Sequence, residues 1–192
     1  MRLTDQSVHD LLGAFSSSDP TPGGGSASAL ASAVGAALLM MVSGLPKTRS
    51  GAEEERRVLD RARAALAGIR DELVSAIDAD TAAYDRVVAA YKLPKASPGD
   101  QQARKAAIQD ALRGATDVPL QVMRASVAAL RESDGVAAHG HSGAASDVGV
   151  AIALLHAGLH GARLNVDINL DGIRDEVYVA RVREEAARLA NG

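Results

Sequence analysis

Between Leu59 and Tyr91 the slots of one helical stripe recur at every third or fourth position: Leu59, Ala62, Leu66, Ile69, Leu73, Ile77, Asp80, Tyr84, Val87 and Tyr91, all apolar or aromatic except Asp80. No proline interrupts the run, and Leu93-Pro94 stops it. This spacing lays one apolar stripe along a helix of roughly 40 residues. A stripe of that length has to be covered by other helices, and the composition agrees. Aromatic residues make up 2% of the 192-residue chain, Cys and Trp are absent, and alanine is about a fifth of the sequence. The core is therefore built from Ala, Leu, Val and Ile, which suits closely packed helices rather than a β-sandwich.

The rest of the chain divides into further helical stretches. Val8, Leu11, Leu12 and Phe15 predict a short helix over residues 5–16. Pro20-Thr21-Pro22-Gly23-Gly24-Gly25 reads as a loop, and a second helix starts near Ser26 and ends by Gly44-Leu45-Pro46. After the long third helix, Ser97-Pro98-Gly99-Asp100 has the form of a helix start, with Ser as N-cap and a carboxylate three residues on. That helix is expected to reach about Ala115. Thr116-Asp117-Val118-Pro119 reads as a kink or a second cap before a helix through Arg131. Ser133-Asp134-Gly135, with Gly140 and Gly143, marks a loop, and the last helices cover about 146–165 and 173–190. The expectation is one all-α domain over residues 1–192, a single bundle of about seven helices with one long central member.

Charge and cysteine content exclude several function classes. A net charge of −3 gives no footprint for nucleic acid. Without Cys there is no disulfide framework, iron–sulfur cluster or thiolate zinc site. The N-terminus does not read as a signal peptide. The uncharged stretch Ser26–Val42 reaches roughly 26 Å as a helix, short of a hydrocarbon core of roughly 30 Å, and reads as a buried core helix. A soluble cytoplasmic protein, bound to no membrane, is expected.

Four groups of residues carry possible chemistry. Pro22-Gly23-Gly24-Gly25-Ser26 joins glycines of free φ to a helix N-terminus, which takes a carboxylate or phosphate or lets a flat ligand lie on bare backbone; it is otherwise a flexible linker with Ser26 as N-cap. Asp80 occupies an apolar slot of the long stripe between Ile77 and Tyr84, where a carboxylate needs a partner or a chemical role; a buried salt bridge to an arginine is the alternative. Asp78, about 160° away around the helix, is expected to be solvated or at the rim. Asp147 and Asn165 fall on one face of a helix, separated by small residues that leave volume, though Asp147 also suits a plain first-turn acid. Asn165 and Asn169, in the run Asn-Val-Asp-Ile-Asn-Leu, are amides that need specific partners. Among the histidines, His156 and His160 are four apart but lack the glutamate of a metalloprotease, so no metal site is expected; His141 is a candidate proton donor. Lys95, and Lys47 with Arg49, are candidates for an anionic tail.

Taken in order, Pro22-Gly23-Gly24-Gly25-Ser26, Asp78-Ala79-Asp80 with Ala83-Tyr84, Tyr91-Lys92-Leu93-Pro94-Lys95, Val118-Pro119-Leu120, Ser146-Asp147 and Asn165-Val166-Asp167-Ile168-Asn169-Leu170 resemble the cyclodeaminase/cyclohydrolase family. The resemblance implies an all-helical, dimer-forming enzyme of one-carbon folate metabolism, with a tetrahydrofolate derivative as substrate and no metal, nucleotide or other cofactor. Gly140-His141 stands where the family commonly has Gly-Asn, and Leu45-Pro46-Lys47-Thr48-Arg49-Ser50 replaces a stretch rich in Gly and Lys.

The expected reaction is hydrolysis of the 5,10-methenyl bridge to 10-formyltetrahydrofolate. Asp80 or Asp147 would orient and deprotonate water, and His141 or Lys95 would act as donor or fixed charge. Asn165 and Asn169 would bond the pterin edge, and the glycine loop would admit the ring or bind a glutamate carboxylate. Cyclodeamination of formiminotetrahydrofolate uses the same carbon and is the first alternative. A helical module that has lost turnover is the second.

Overall fold

The computed structural model describes residues 2–191. They form six α-helices: α1 (Val8–Phe15), α2 (Gly24–Ser43), α3 (Glu53–Lys92), α4 (Pro98–His139), α5 (Ala145–Leu170) and α6 (Glu176–Ala190). Short 3-10 turns at Leu3–Asp5 and Ser142–Ala144 precede α1 and α5. The helix count differs from expectation because α4 is continuous where the sequence predicts a break. Neither Thr116–Pro119 nor Ser133–Gly135 ends it. Its start is as expected: Ser97 Oγ accepts the Asp100 N–H, and the Asp100 carboxylate accepts the Ser97 N–H.

Helices α2, α3, α4 and α5 form the bundle, each antiparallel to its neighbours. Ser26 meets Asp80 at one end of the α2–α3 pair, and Gly44 lies under Arg63 at the other. Gly24 abuts Asn165 and Gly35 abuts Ala151, which sets the α2–α5 register. Leu39, Leu59, Leu66, Leu73, Leu120, Met123, Leu155 and Leu170 fill the centre. One polar link crosses it. Ser126 donates its hydroxyl hydrogen to Val122 O at 2.7 Å, so the 2.7 Å contact between Ser32 and Ser126 has Ser32 as donor.

The small residues of α2 and α5 bring these helices close, and they leave no space between them. A Cβ on Gly158 would run into Ser32 Oγ and, at 2.6 Å, into Ser28 O. The volume expected along this face is thus filled by the serines of α2. Both helices are long and apolar enough to cross a membrane, but they pack as members of the bundle, α2 with 56% of its apolar window buried.

Helices α3 and α4 outrun their partners. α2 begins at Gly24, beside Asp80, and α5 ends at Leu170, whereas α3 continues to Lys92 before returning through Leu93–Ser97. The overhang is a two-helix arm of roughly 18 Å, with its own cluster of Ala90, Ile108 and Ala111. α6 lies against α4 through Arg124–Glu185 at 2.7 Å, Arg113–Asp175 at 2.9 Å and Tyr178 Oη–Asp117 at 2.7 Å.

Replacing Gly158 by Val forces α2 and α5 apart. The expected cost is about 1–3 kcal/mol, read as a lower midpoint in thermal or urea denaturation, while Gly149, with open space around it, tolerates Ala.

Candidate functional site

The four bundle helices meet at one level where α2 starts and α5 stops, and most of the expected site residues are there. Gly23 is the N-cap of α2 and has no side chain to cap it. Asp80, on α3, caps the helix in its place, with its Oδ2 accepting the Ser26 N–H at 2.9 Å. The Ser26 hydroxyl donates to Ile77 O at 2.8 Å and lies 3.2 Å from the same carboxylate oxygen. Ser26 is therefore a buried latch to α3, and the alternative of a flexible linker with Ser26 as N-cap does not apply.

The glycines are needed for this approach and not for unusual backbone angles. Gly24 and Gly25 lie within α2, and Gly51 has the only positive φ among the described residues, at 86°. A Cβ on Gly25 would collide with the Asp80 carboxylate, whereas one on Gly24 would meet Asn165 Nδ2 at 3.4 Å, an ordinary contact. Within the triglycine sequence it is Gly25 that clears space for the carboxylate, while Gly24 lies in contact with the amide of Asn165.

Asp80 is half-buried and has no arginine partner among the described residues, so the salt-bridge alternative does not apply. Burial pushes its pKa above the ordinary carboxylate value, and the Ser26 hydroxyl and N–H hold back part of the rise. Asp78, two positions earlier on α3, has the opposite character. Burial would raise its pKa too, but Thr4 Oγ1 at 2.7 Å, the Leu3 N–H at 2.6 Å and Arg2 Nε at 3.4 Å bring it below the usual value. Asp78 ties the N-terminal segment to α3, a role that periodicity does not reveal. Residues 5–23 leave α3 at Asp78 and return to it at Asp80.

Both asparagines lie at the end of α5, one turn apart. Asn165 Nδ2 donates to Gly161 O at 2.8 Å, and Asn169 Nδ2 donates to Ala115 O at 2.8 Å. Each amide commits one of its two Nδ2 hydrogens to a backbone carbonyl, and neither Oδ1 accepts a hydrogen bond from the described residues. The ledge therefore presents acceptors: one carboxylate and two amide oxygens.

The other expected residues lie elsewhere. Asp147 is in the first turn of α5, about 27 Å along the helix from Asn165. His141 is close to that far end, with its Nδ1 accepting the Gly143 N–H at 3.1 Å. It borders a cavity of about 560 Å³ with Lys47, Arg49 and Arg56. The loop there wraps Glu55, whose carboxylate accepts from Thr48 Oγ1 at 2.6 Å, Ser50 N at 2.9 Å and Gly51 N at 3.2 Å; these bonds, Thr48 first, hold its pKa at about 2. Lys95 is exposed at the tip of the arm. One chain thus brings together Gly23–Ser26, Asp80, Asn165 and Asn169, and separates them from Asp147, His141 and Lys95. His156 and His160 lie on the exposed side of α5.

Since the folded state raises the pKa of Asp80, the folded chain holds its proton to higher pH than the unfolded chain does. Stability therefore falls as pH rises from the unfolded value through the folded one. Asp80→Asn keeps an acceptor for Ser26 N–H without the charge. It is expected to melt above the wild type at pH 7, and the difference should shrink below about pH 4, where both are neutral. Differential scanning fluorimetry across pH reads this directly.

Comparison with known proteins identifies the family. Residues 7–188 match the formiminotransferase-cyclodeaminase family. The chain is 37% identical to the methenyltetrahydrofolate cyclohydrolase of Methylorubrum extorquens, over 97% of its own length and 90% of that protein. It is 34% identical to the formimidoyltransferase-cyclodeaminase of Sus scrofa over 88% of its length, but spans only 31% of that larger protein. The crystal structure of formiminotetrahydrofolate cyclodeaminase from Thermotoga maritima superposes with a TM-score of 0.85 at 29% identity, covering 96% of this chain and 88% of that one. With matches along nearly its whole length, the chain belongs to the formiminotransferase-cyclodeaminase family.

Proposed function

We propose that the chain is an enzyme of one-carbon folate chemistry, hydrolysing 5,10-methenyltetrahydrofolate to 10-formyltetrahydrofolate. The observation that carries this reading is the ledge itself, where Asp80, Asn165 and Asn169 offer acceptors and no side-chain cation is bonded to any of them among the described residues. Such a site selects a ligand that is cationic and rich in N–H donors. The methenyl-bridged reduced pterin is both, with an amidinium-like N5–C–N10 bridge and a 2-amino pyrimidine edge.

In this reading water attacks the bridge carbon while Asp80 takes its proton, a transfer favoured by a carboxylate pKa that burial raises above its ordinary value. The tetrahedral intermediate then loses its C–N5 bond, the hydroxyl becomes the formyl C=O on N10, and N5 receives a proton. One proton is released overall. Asn165 and Asn169 bond the pterin edge, and the bare backbone of Gly24 and Gly25 admits the flat ring. The Thermotoga neighbour favours a second reading, cyclodeamination. There N10 attacks the formimino carbon, the C–NH₂ bond breaks, and the amine leaves protonated as ammonia.

The partner in this reading is a second copy. α2 carries no charged residue, and its outer face with α5 exposes Val34 (42%), Met41 (42%), Val150 (52%), Leu164 (56%) and Ile168 (69%). A two-fold axis across this face, pairing α2 antiparallel with its copy, would carry the partner's Asp147 and the partner's His141 toward Asp80. Those two residues then act on a substrate bound at the neighbouring ledge. Lys95, at the arm tip, serves an anionic tail.

Loss of methenyltetrahydrofolate absorbance, set beside ammonia release from formiminotetrahydrofolate, distinguishes the two reactions. Asp80→Asn should slow the active one about 100-fold or more; a full rate would remove Asp80 from the chemistry. Val34→Arg should elute as a monomer in gel filtration. Mixed Asp80→Asn and Asp147→Asn proteins should recover up to about a quarter of wild-type activity, because half of the sites in each mixed dimer are intact.

A further inference from the structure

Pro119 lies inside α4, where a proline removes one backbone donor and crowds the carbonyl four residues earlier. That carbonyl belongs to Ala115, which is 9% exposed, too buried to rely on water for its missing partner. Asn169, from α5, supplies it: Nδ2 donates to Ala115 O at 2.8 Å across a sequence separation of 54 residues. The bond also fixes which way the amide faces, because a carbonyl oxygen accepts from Nδ2 and repels Oδ1. Asn169 Oδ1 is thereby turned away from Ala115 and left without a donor among the described residues.

We infer that Pro119 is a positioning residue for substrate binding: by withholding its N–H it hands the Ala115 carbonyl to Asn169 and locks the amide with Oδ1 directed outward as an acceptor for the N–H edge of the pterin. The inference rests on the folate reading of the ledge and adds to it a residue that touches no substrate. In Pro119→Ala, the restored N–H closes on Ala115 O in the ordinary helical manner and draws that carbonyl back toward the helix axis. Asn169 is left with a shared, poorly directed acceptor, and its amide rotates. Asn165, bonded to Gly161 of its own helix, does not depend on this arrangement.

A double-mutant cycle on the full chain tests this, with KM and kcat for methenyltetrahydrofolate and the thermal midpoint measured for each protein. Asn169→Ala is expected to raise KM about tenfold, and Pro119→Ala about three- to fivefold with kcat within twofold of wild type. Pro119→Ala should not lower the thermal midpoint, since alanine suits a helix interior. The double variant should bind no worse than Asn169→Ala alone, and Asn169→Ala should cost less stability in the Pro119→Ala background, where Ala115 O already has a backbone donor. Asn169→Ser replaces Asn169→Ala if the latter melts below the assay temperature. If the Asn169 variants weaken binding while Pro119→Ala keeps the wild-type KM, or if the two effects multiply, the positioning role is wrong and the folate ledge stands. If the Asn169 variants keep the wild-type KM, Asn169 leaves the site and the inference goes with it.

Discussion

The hydrogen bond from the Ser26 N–H to Asp80 joins the start of one helix to the middle of another. A helix that begins on glycines has no side chain of its own for its free N–H groups, and α2 solves this by borrowing a carboxylate from α3. The arrangement sets the register of α2 on α3, requires Gly25 to lack a Cβ, and holds Asp80 half-buried with no arginine bonded to it among the described residues. Burial then raises the pKa of the group that is most useful at an electrophilic carbon. Packing and chemistry are two results of one contact.

Asp78 and Asp80 illustrate how environment divides labour between like residues. Both are on α3 and both lose water. Asp78 accepts bonds from three groups of the N-terminal segment and becomes a firm anion, whereas Asp80 receives only what Ser26 provides and stays easy to protonate. Environments that push two carboxylates apart in this way commonly separate an anchor from a reactive group.

Much of this is readable in the sequence where the signal is periodic. The 40-residue length of α3 and the intrusion of Asp80 into its stripe follow from spacing alone. Local signals mislead where a distant residue changes their meaning. Pro119 reads as a stop because it removes a donor, but Asn169 makes good that loss from another helix, and α4 continues. The triglycine run reads as a turn of free φ, yet Gly25 lies within the helix and clears space for Asp80, far along the chain on α3. Asp147 and Asn165 do share a helix, but a common face says nothing of the roughly 27 Å along the axis between them.

The arm formed by the ends of α3 and α4 has consequences for evolution as well as for shape. Its apolar cluster is separate from the main core, and α2 and α5 do not run alongside it. Two antiparallel helices can lengthen together beyond Leu112, where the arm's cluster meets the main core, without changing the register of the bundle below. Reach beyond the ledge is therefore a dimension along which relatives can diverge, while the chemistry beneath keeps its geometry.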